Sequence, residues 1–195
     1  MQERPRTLRR KPSAFERRAG VRPVLLVGFM GAGKSTVGRA LAARLDCAFE
    51  DLDQRIERRE GRTVPEIFRD SGEAQFRRAE RAALRELLDE LREGVKKVVA
   101  VGGGAFAQVK NAGLIEASGV PTVFLDAPVE ELWRRCCEQA RDQGTQRPLL
   151  NSLENFRKLY EARRPRYLKA AHRQETGGKD FNGIVAEIVE GLGLD

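Results

Sequence analysis

The sequence holds three cysteines in 195 residues, two of them adjacent (Cys136 and Cys137), and a single histidine, His172. That is too few thiols for a disulfide framework, and their spacing fits no metal-ligand pattern. Cysteines that form no disulfide framework suit a reducing compartment, so a cytoplasmic protein is expected. His172 sits among basic residues and is assigned no role. No stretch approaches the ~20 apolar residues of a membrane-spanning helix, so no membrane partner is expected. The first residues lack the apolar core of a secretory signal, and no internal repeat occurs, which excludes a repeat array. Acidic residues are outnumbered and the formal charge is +7, but the excess is local. Residues 1–22 hold eight basic and two acidic residues, a net of +6, leaving +1 for the remaining chain. A body this close to neutral argues against a nucleic-acid partner. Residues 1–22 are expected to form a basic, disordered tail, because they offer too little apolar surface to fold. Their arginine-rich composition also has the flavour of an organelle transit peptide. Residues 23–195 are expected to form a single domain, a length that supports a sizeable core.

What is present begins with Gly28-Phe29-Met30-Gly31-Ala32-Gly33-Lys34-Ser35-Thr36. It follows the apolar run Val24 to Val27 and opens a segment with helical spacing at Val37, Leu41 and Leu45. The pattern is G-x-x-x-x-G-K-S/T, a phosphate-binding loop. Its glycines let successive N–H groups face one anion, and the following helix adds the positive end of its dipole. A nucleoside triphosphate is therefore expected, with Lys34 on the β- and γ-phosphates and the Ser35 hydroxyl on Mg²⁺. No Asn-Lys-x-Asp occurs, which removes the guanine-reading element of a GTP-dependent switch.

The rest reads as strands alternating with helices, the pattern of a parallel sheet covered on both faces. Strands are predicted at Val24–Val27, Cys47–Asp51, within Val95–Val101 and at Thr122–Leu125. Thr63-Val64-Pro65-Glu66 is a capping box that starts a short helix, stopped at Ser71-Gly72. Glu73 begins the longest helix, with Phe76, Ala79, Ala83, Leu87 and Leu91 on one stripe. A short helix is predicted at Ala112–Ala117. Asp126 to Pro128 caps a helix carrying Leu132 and Trp133, and Gln139 to Gln146 reads as a loop. Ser152 caps a helix predicted to run past Pro165 to Ala171 with a kink. A turn at Thr176–Asp180 precedes a last amphipathic helix.

Four further stretches carry polar groups that the core does not need. Asp51 and Asp53 stand at a strand end, where α/β folds bind ligands, and strand spacing puts them on one side. Glu73-x-x-Phe76-Arg77-Arg78-x-Glu80 opens the longest helix. Gly102-Gly103-Gly104 follows a strand, where glycines signal close backbone approach to a ligand. Arg147-Pro148-Leu149-Leu150 ends a polar loop, and Arg163-x-Pro165-x-Tyr167 sets a guanidinium at a helix kink.

Together these stretches resemble shikimate kinase. The resemblance runs from about Val24 to Leu192 and rests on GFMGAGKST, FEDLD, EGRTVPEIF, GEAQFRRAE, GGGA, RPLL, RRPRY and the ET before the last helix. It implies a three-layer α/β/α kinase with a five-stranded parallel sheet, a substrate-binding segment at 53–81 and a lid at 138–150. The implied reaction moves the γ-phosphoryl group of ATP to the 3-hydroxyl of shikimate, on the route to chorismate and the aromatic amino acids. The resemblance makes Asp53 the candidate base on the shikimate hydroxyls. Arg77 and Arg163 become the carboxylate clamp, with backbone help from Gly102, Gly103 and Gly104. It puts Asp51 on Mg²⁺ through water beside Ser35, and Gly31, Ala32, Gly33, Lys34, Ser35 and Thr36 around the phosphates. Arg147 is the implied lid arginine, and Arg135 resembles the residue lying against adenine. A monomer is expected. Two departures stand out: Val101 occupies a position where many relatives carry threonine, and the stretch from Arg135 to Arg147 is longer. The nearest alternative is another small-metabolite kinase such as gluconate kinase, which has less need of two arginines on a carboxylate.

Overall fold

An apolar run with no polar face has to be covered on both sides, and the run at Val24 has none. The computed structural model describes residues 22–142 and 152–194. Five strands, β1 (Val24–Val27), β2 (Ala48–Asp51), β3 (Lys97–Ala100), β4 (Thr122–Asp126) and β5 (His172–Glu175), form one parallel sheet in the order β2-β3-β1-β4-β5. β1 is central, and its four residues are completely buried. Leu25 pairs with Val99 on one side and Thr122 on the other, so the loop after β1 emerges between the ends of β3 and β4.

Parallel neighbours need crossovers, and these are helical. The helices are α1 (Lys34–Arg44), α2 (Leu52–Glu60), α3 (Val64–Arg92), α4 (Gly103–Ala107), α5 (Val109–Ser118), α6 (Val129–Asp142), α7 (Leu153–Tyr167) and α8 (Phe181–Leu192). They form the outer layers over one continuous hydrophobic core. α1 lies close on the sheet: a methyl group at Gly38 would come 2.4 Å from the Phe49 ring and 3.2 Å from Leu26. Among the described residues no helix is both long and apolar enough to cross a membrane.

The capping box forms as read, with Glu66 accepting from the Thr63 N–H at 2.8 Å and donating its own N–H to the Thr63 hydroxyl at 3.4 Å. The two helices expected on either side of Ser71-Gly72 abut directly and make one 29-residue element, α3, broken only at Gly72 (φ 74°, ψ 174°). Helix α6 runs on through Asp142, so Gln139–Asp142 are helical rather than loop, continuing the amphipathic turns that bury Leu132 and Cys136. The rest of the expected lid, with Arg147, lies outside the described residues, as do residues 1–21 of the expected tail.

Helix α7 holds Pro165 but ends at Tyr167, not Ala171, because His172-Arg173-Gln174-Glu175 pairs with β4 as the fifth strand. No apolar alternation marks that strand. An edge strand with only Gln174 buried is held by its ladder and by its polar side chains. Asp126 does not cap α6; it ends β4 with its carboxylate 4% exposed and committed elsewhere.

Gly72 adopts backbone angles open essentially to glycine alone, while a methyl there would meet nothing within 4 Å. Gly72→Ala is therefore expected to destabilise through the backbone only, by about 1–3 kcal/mol, with Tm falling roughly 2–4 °C for each kcal/mol in a chain of this size. An unchanged or raised Tm in thermal denaturation would mean that α3 straightens without penalty.

Candidate active site

The loop from Gly28 to Gly33 is shaped by contacts as well as by conformation. Gly28 has φ 146°, and a methyl there would sit 2.7 Å from the Leu125 carbonyl oxygen of β4. Gly31 has φ 78°, with the Leu132 carbonyl 2.6 Å and Cys136 Sγ 2.9 Å from the same point, so the loop is pressed onto α6. Lys34 Nζ donates to the carbonyls of Gly28 and Phe29, both at 2.9 Å. Burial draws its pKa down, opposed by the charges of Asp53 and Asp51. The lysine is thus held on its own loop, beside the space that a phosphate chain would fill.

The two aspartates do not share a strand. Asp51 ends β2 and is the N-cap of α2, accepting from the Asp53 N–H at 3.0 Å, while Asp53 lies in the first turn of α2. Both reach the cavity because the strand turns into helix between them. Asp51 also accepts from the Ser35 hydroxyl at 3.0 Å, which ties β2 to the start of α1. Asp53 opens to the water of the cavity but is enclosed by protein on its other sides. That desolvation, with Asp51 adding repulsion and Lys34 opposing it, lifts its pKa from 3.8 to about 6.

The triple glycine explains how the remaining groups meet. A methyl on Gly102 would come 2.9 Å from Asp53 Oδ1, one on Gly103 3.1 Å from the Gly28 carbonyl, and one on Gly104 3.0 Å from Arg77 Nη1. None of the three is at positive φ, so they are glycine for space. The close approach that these glycines permit is to the site's own side chains and the phosphate-binding loop rather than to the ligand expected from the sequence. The Tyr167 hydroxyl donates to the Gly103 carbonyl and anchors α7 here; burial pushes Tyr167 up to about 12 against the charge of nearby Arg163. One turn back on α7, the Arg163 guanidinium lies 5.8 Å from the Phe29 ring centroid. Arg77 is gripped by Glu73 (3.0 and 3.1 Å) and by Glu80 (3.1 and 3.2 Å).

All of this surrounds one cavity of about 450 Å³. Its lining brings together Gly31, Gly33, Lys34, Ser35, Thr36, Asp51, Asp53, Arg77, Arg163 and the three glycines. Ala32 does not line it, because its methyl is buried beneath the loop. Arg135 does not line it either; it bridges the carbonyls of Gly31 (3.4 Å) and Thr176 (3.1 Å) and pairs with Glu131 behind the loop. Val101 is fully buried on the cavity wall and offers no hydroxyl there.

Several contributors were given no site role from the sequence. Glu80 fixes Arg77 from the buried side, and its i,i+3 spacing was the available signal. Phe68 and Phe76, with ring centroids 4.5 Å apart, form an apolar wall of the cavity. Gln139 reaches the cavity only because α6 is longer than expected. Asp126 accepts from the Tyr160 hydroxyl (2.8 Å), Arg164 (2.9 Å) and Arg173 (2.9 Å), pinning α7 to the sheet so that Arg163 is presented on its other side.

Comparison with known proteins agrees with this geometry. The family model described as shikimate kinase matches residues 30–192. A shikimate kinase of Thermus thermophilus is 44% identical over 174 residues, covering 87% of this chain and 89% of the relative. Among solved structures, the shikimate kinase from Acinetobacter baumannii in complex with shikimate superposes with a TM-score of 0.74 at 35% identity, over 88% of this chain and 93% of that one. A gluconokinase from Sinorhizobium meliloti, at TM-score 0.56 and 20% identity over 90% and 94% of the two chains, shares the fold alone. With the phosphate-binding loop, Asp53, Arg77 and Arg163 lining one cavity and a family model matching residues 30–192, this chain belongs to the shikimate kinase family.

Proposed function

We propose that this chain transfers the γ-phosphoryl group of ATP to the 3-hydroxyl of shikimate, giving shikimate 3-phosphate and ADP. The observation that carries the reading is the convergence of Asp53 and Arg77 on one turn of α4, beside the phosphate-binding loop. A ring bearing a carboxylate at one end and hydroxyls at the other spans these groups. The planar donor forks of Arg77 and Arg163 suit the carboxylate. Asp53 accepts the proton of the attacking hydroxyl as the new O–P bond forms and the bond to the leaving ADP oxygen breaks. A carboxyl with a pKa near 6 is matched to that task at neutral pH.

Lys34 leaves the Gly28 and Phe29 carbonyls for the β- and γ-phosphate oxygens, where its charge counters the charge developing in transfer. No cluster of three histidine, cysteine or acidic side chains exists among the described residues. The Ser35 hydroxyl beside Asp51 nevertheless fits Mg²⁺, an ion that keeps waters and takes most of its protein contact from one or two carboxylates. Bound there, Mg²⁺ spreads the negative charge of the phosphates. Arg135 supports the nucleotide side, bracing the loop against the turn at Thr176. Arg147 is the proposed lid arginine on the transferring group. All assigned residues come from one chain, which we take to act as a monomeric, single-domain enzyme in the cytoplasm.

The direct test is ATP turnover with shikimate, gluconate, a nucleoside monophosphate or no acceptor. Shikimate alone is expected to raise ADP release far above the no-acceptor rate; equal stimulation by gluconate would overturn the assignment. Arg77→Lys and Arg163→Lys are each expected to raise KM for shikimate about 10- to 100-fold, the loss of a charged bidentate hydrogen bond, with KM for ATP nearly unchanged. Unchanged shikimate KM in both would remove the clamp.

Asp53 also sets a pH dependence. A base that titrates near 6 makes kcat/KM for shikimate rise with pH through that value, and Asp53→Asn should abolish both the inflection and most of the rate, by about 10²–10⁴-fold. The same shift predicts a stability effect of opposite sense. A folded pKa above the unfolded one means that ionised Asp53 strains the fold above pH 6, and the strain vanishes below about pH 4. Asp53→Asn should therefore raise Tm at pH 7 and lose that gain at pH 4. Water in the open cavity screens the charge and keeps the gain small. A lower Tm at pH 7 would contradict the assigned environment.

A further inference from the structure

Arg77 stands between two carboxylates of unequal freedom. Glu73, one turn earlier on α3, has a side chain 68% exposed, and holding Arg77 there draws it toward solvent. Glu80, one turn later, is 1% exposed and holds Arg77 toward the cavity through both of its oxygens. Which partner governs Arg77 depends on what fixes Glu80. A buried carboxylate has room for more than one guanidinium donor, and any oxygen left unsatisfied is costly. Here Oε2 takes two further donors, the Gln108 side-chain amide and the Asn111 side-chain amide at 3.3 Å. Asn111 is completely buried, and its own oxygen accepts from Arg81 Nε at 3.4 Å. An apolar residue would fill that place more cheaply. The amide is explained by what it does to Glu80.

Gln108 and Asn111 sit at the junction where α4 passes into α5. α4 is the helix whose Gly104 backbone faces Arg77. The chain Asn111 and Gln108 to Glu80 to Arg77 thus ties the two sides of the acceptor pocket together. We propose that Gln108 and Asn111 are positioning residues for the phosphoryl acceptor. Their amides lock the Glu80 carboxylate in the rotamer that aims the Arg77 guanidinium into the cavity, against the pull of Glu73. The inference rests on Arg77 gripping the acceptor carboxylate.

The test is steady-state kinetics of Gln108→Met and Asn111→Leu, which remove the amides and keep the volume, each alone and combined with Arg77→Lys. Each single substitution should raise KM for shikimate about three- to tenfold, the weight of one ordinary hydrogen bond because the amides act on the acceptor only through Arg77, with KM for ATP unchanged. Gln108→Glu, which sets a second carboxylate against Glu80, should be worse than Gln108→Met. In the Arg77→Lys background the added loss should largely disappear, because the amides act through Arg77. Should Asn111→Leu fail to fold, the two Gln108 variants decide alone. Wild-type shikimate KM in folded Gln108 variants, a loss that adds in full to that of Arg77→Lys, or an equal rise in KM for ATP would each overturn the relay. If Arg77→Lys is impaired and Gln108→Met is not, the relay falls and the clamp stands; if Arg77→Lys is itself silent, both fall.

Discussion

The space left by three missing side chains, at Gly102, Gly103 and Gly104, is the constraint on which the site depends. Through it one turn of backbone touches Asp53, the Gly28 carbonyl and Arg77 at once. In the function proposed above, each contact belongs to a different unit: the proposed base, the phosphate-binding loop and the proposed acceptor clamp. Tyr167 closes the same seam from α7 by its bond to the Gly103 carbonyl, and α7 also carries Arg163. Nucleotide and acceptor sites are therefore not two pockets that happen to adjoin. On the proposed assignment they share one strip of backbone, which suits an in-line transfer between two bound molecules.

Charge is arranged around that strip of backbone so that most of its strong groups have partners within the protein. Lys34 rests on two carbonyls, Arg77 on two carboxylates, and Ser35 on Asp51. Among the described residues no buried side-chain polar atom lacks a hydrogen-bond partner. Asp53 is the exception in electrostatic terms, pushed up to about 6 by desolvation and by Asp51. A carboxylate made uncomfortable by its surroundings suits the role of base proposed for it above.

Much of this was legible because the signals were local. An apolar run, a glycine loop and a helical stripe follow one another directly between Val24 and Leu45, so β1, the loop and α1 could be read directly, as could the Thr63 capping box. The polar stretches were visible as groups that no core position needed, and their proposed roles came from the family resemblance. What stayed hidden depended on partners distant in sequence. His172–Glu175 is a strand only because β4 lies beside it, and nothing in four polar residues says so. Asp126 reads locally as a helix cap, yet its partners stand 34 to 47 residues away. Glu80, a charge on a charged helix, becomes significant only once α4 and α5 bury it. The aspartate pair was assigned the right side for the wrong local reason, since the strand ends at Asp51 and a helical turn carries Asp53 into the cavity.

The shared strip of backbone can be tested by crowding it one methyl group at a time. Calorimetric titration of Gly103→Ala and Gly104→Ala with ATP and with shikimate measures both sites separately. At Gly104 the methyl would displace only the flexible end of Arg77, so shikimate affinity should fall while ATP affinity holds. At Gly103 it would press on the Gly28 carbonyl and the Tyr167 hydroxyl, and both affinities should fall together. Wild-type shikimate affinity in Gly104→Ala, or loss of shikimate affinity alone in Gly103→Ala, would contradict a strip of backbone common to the two sites.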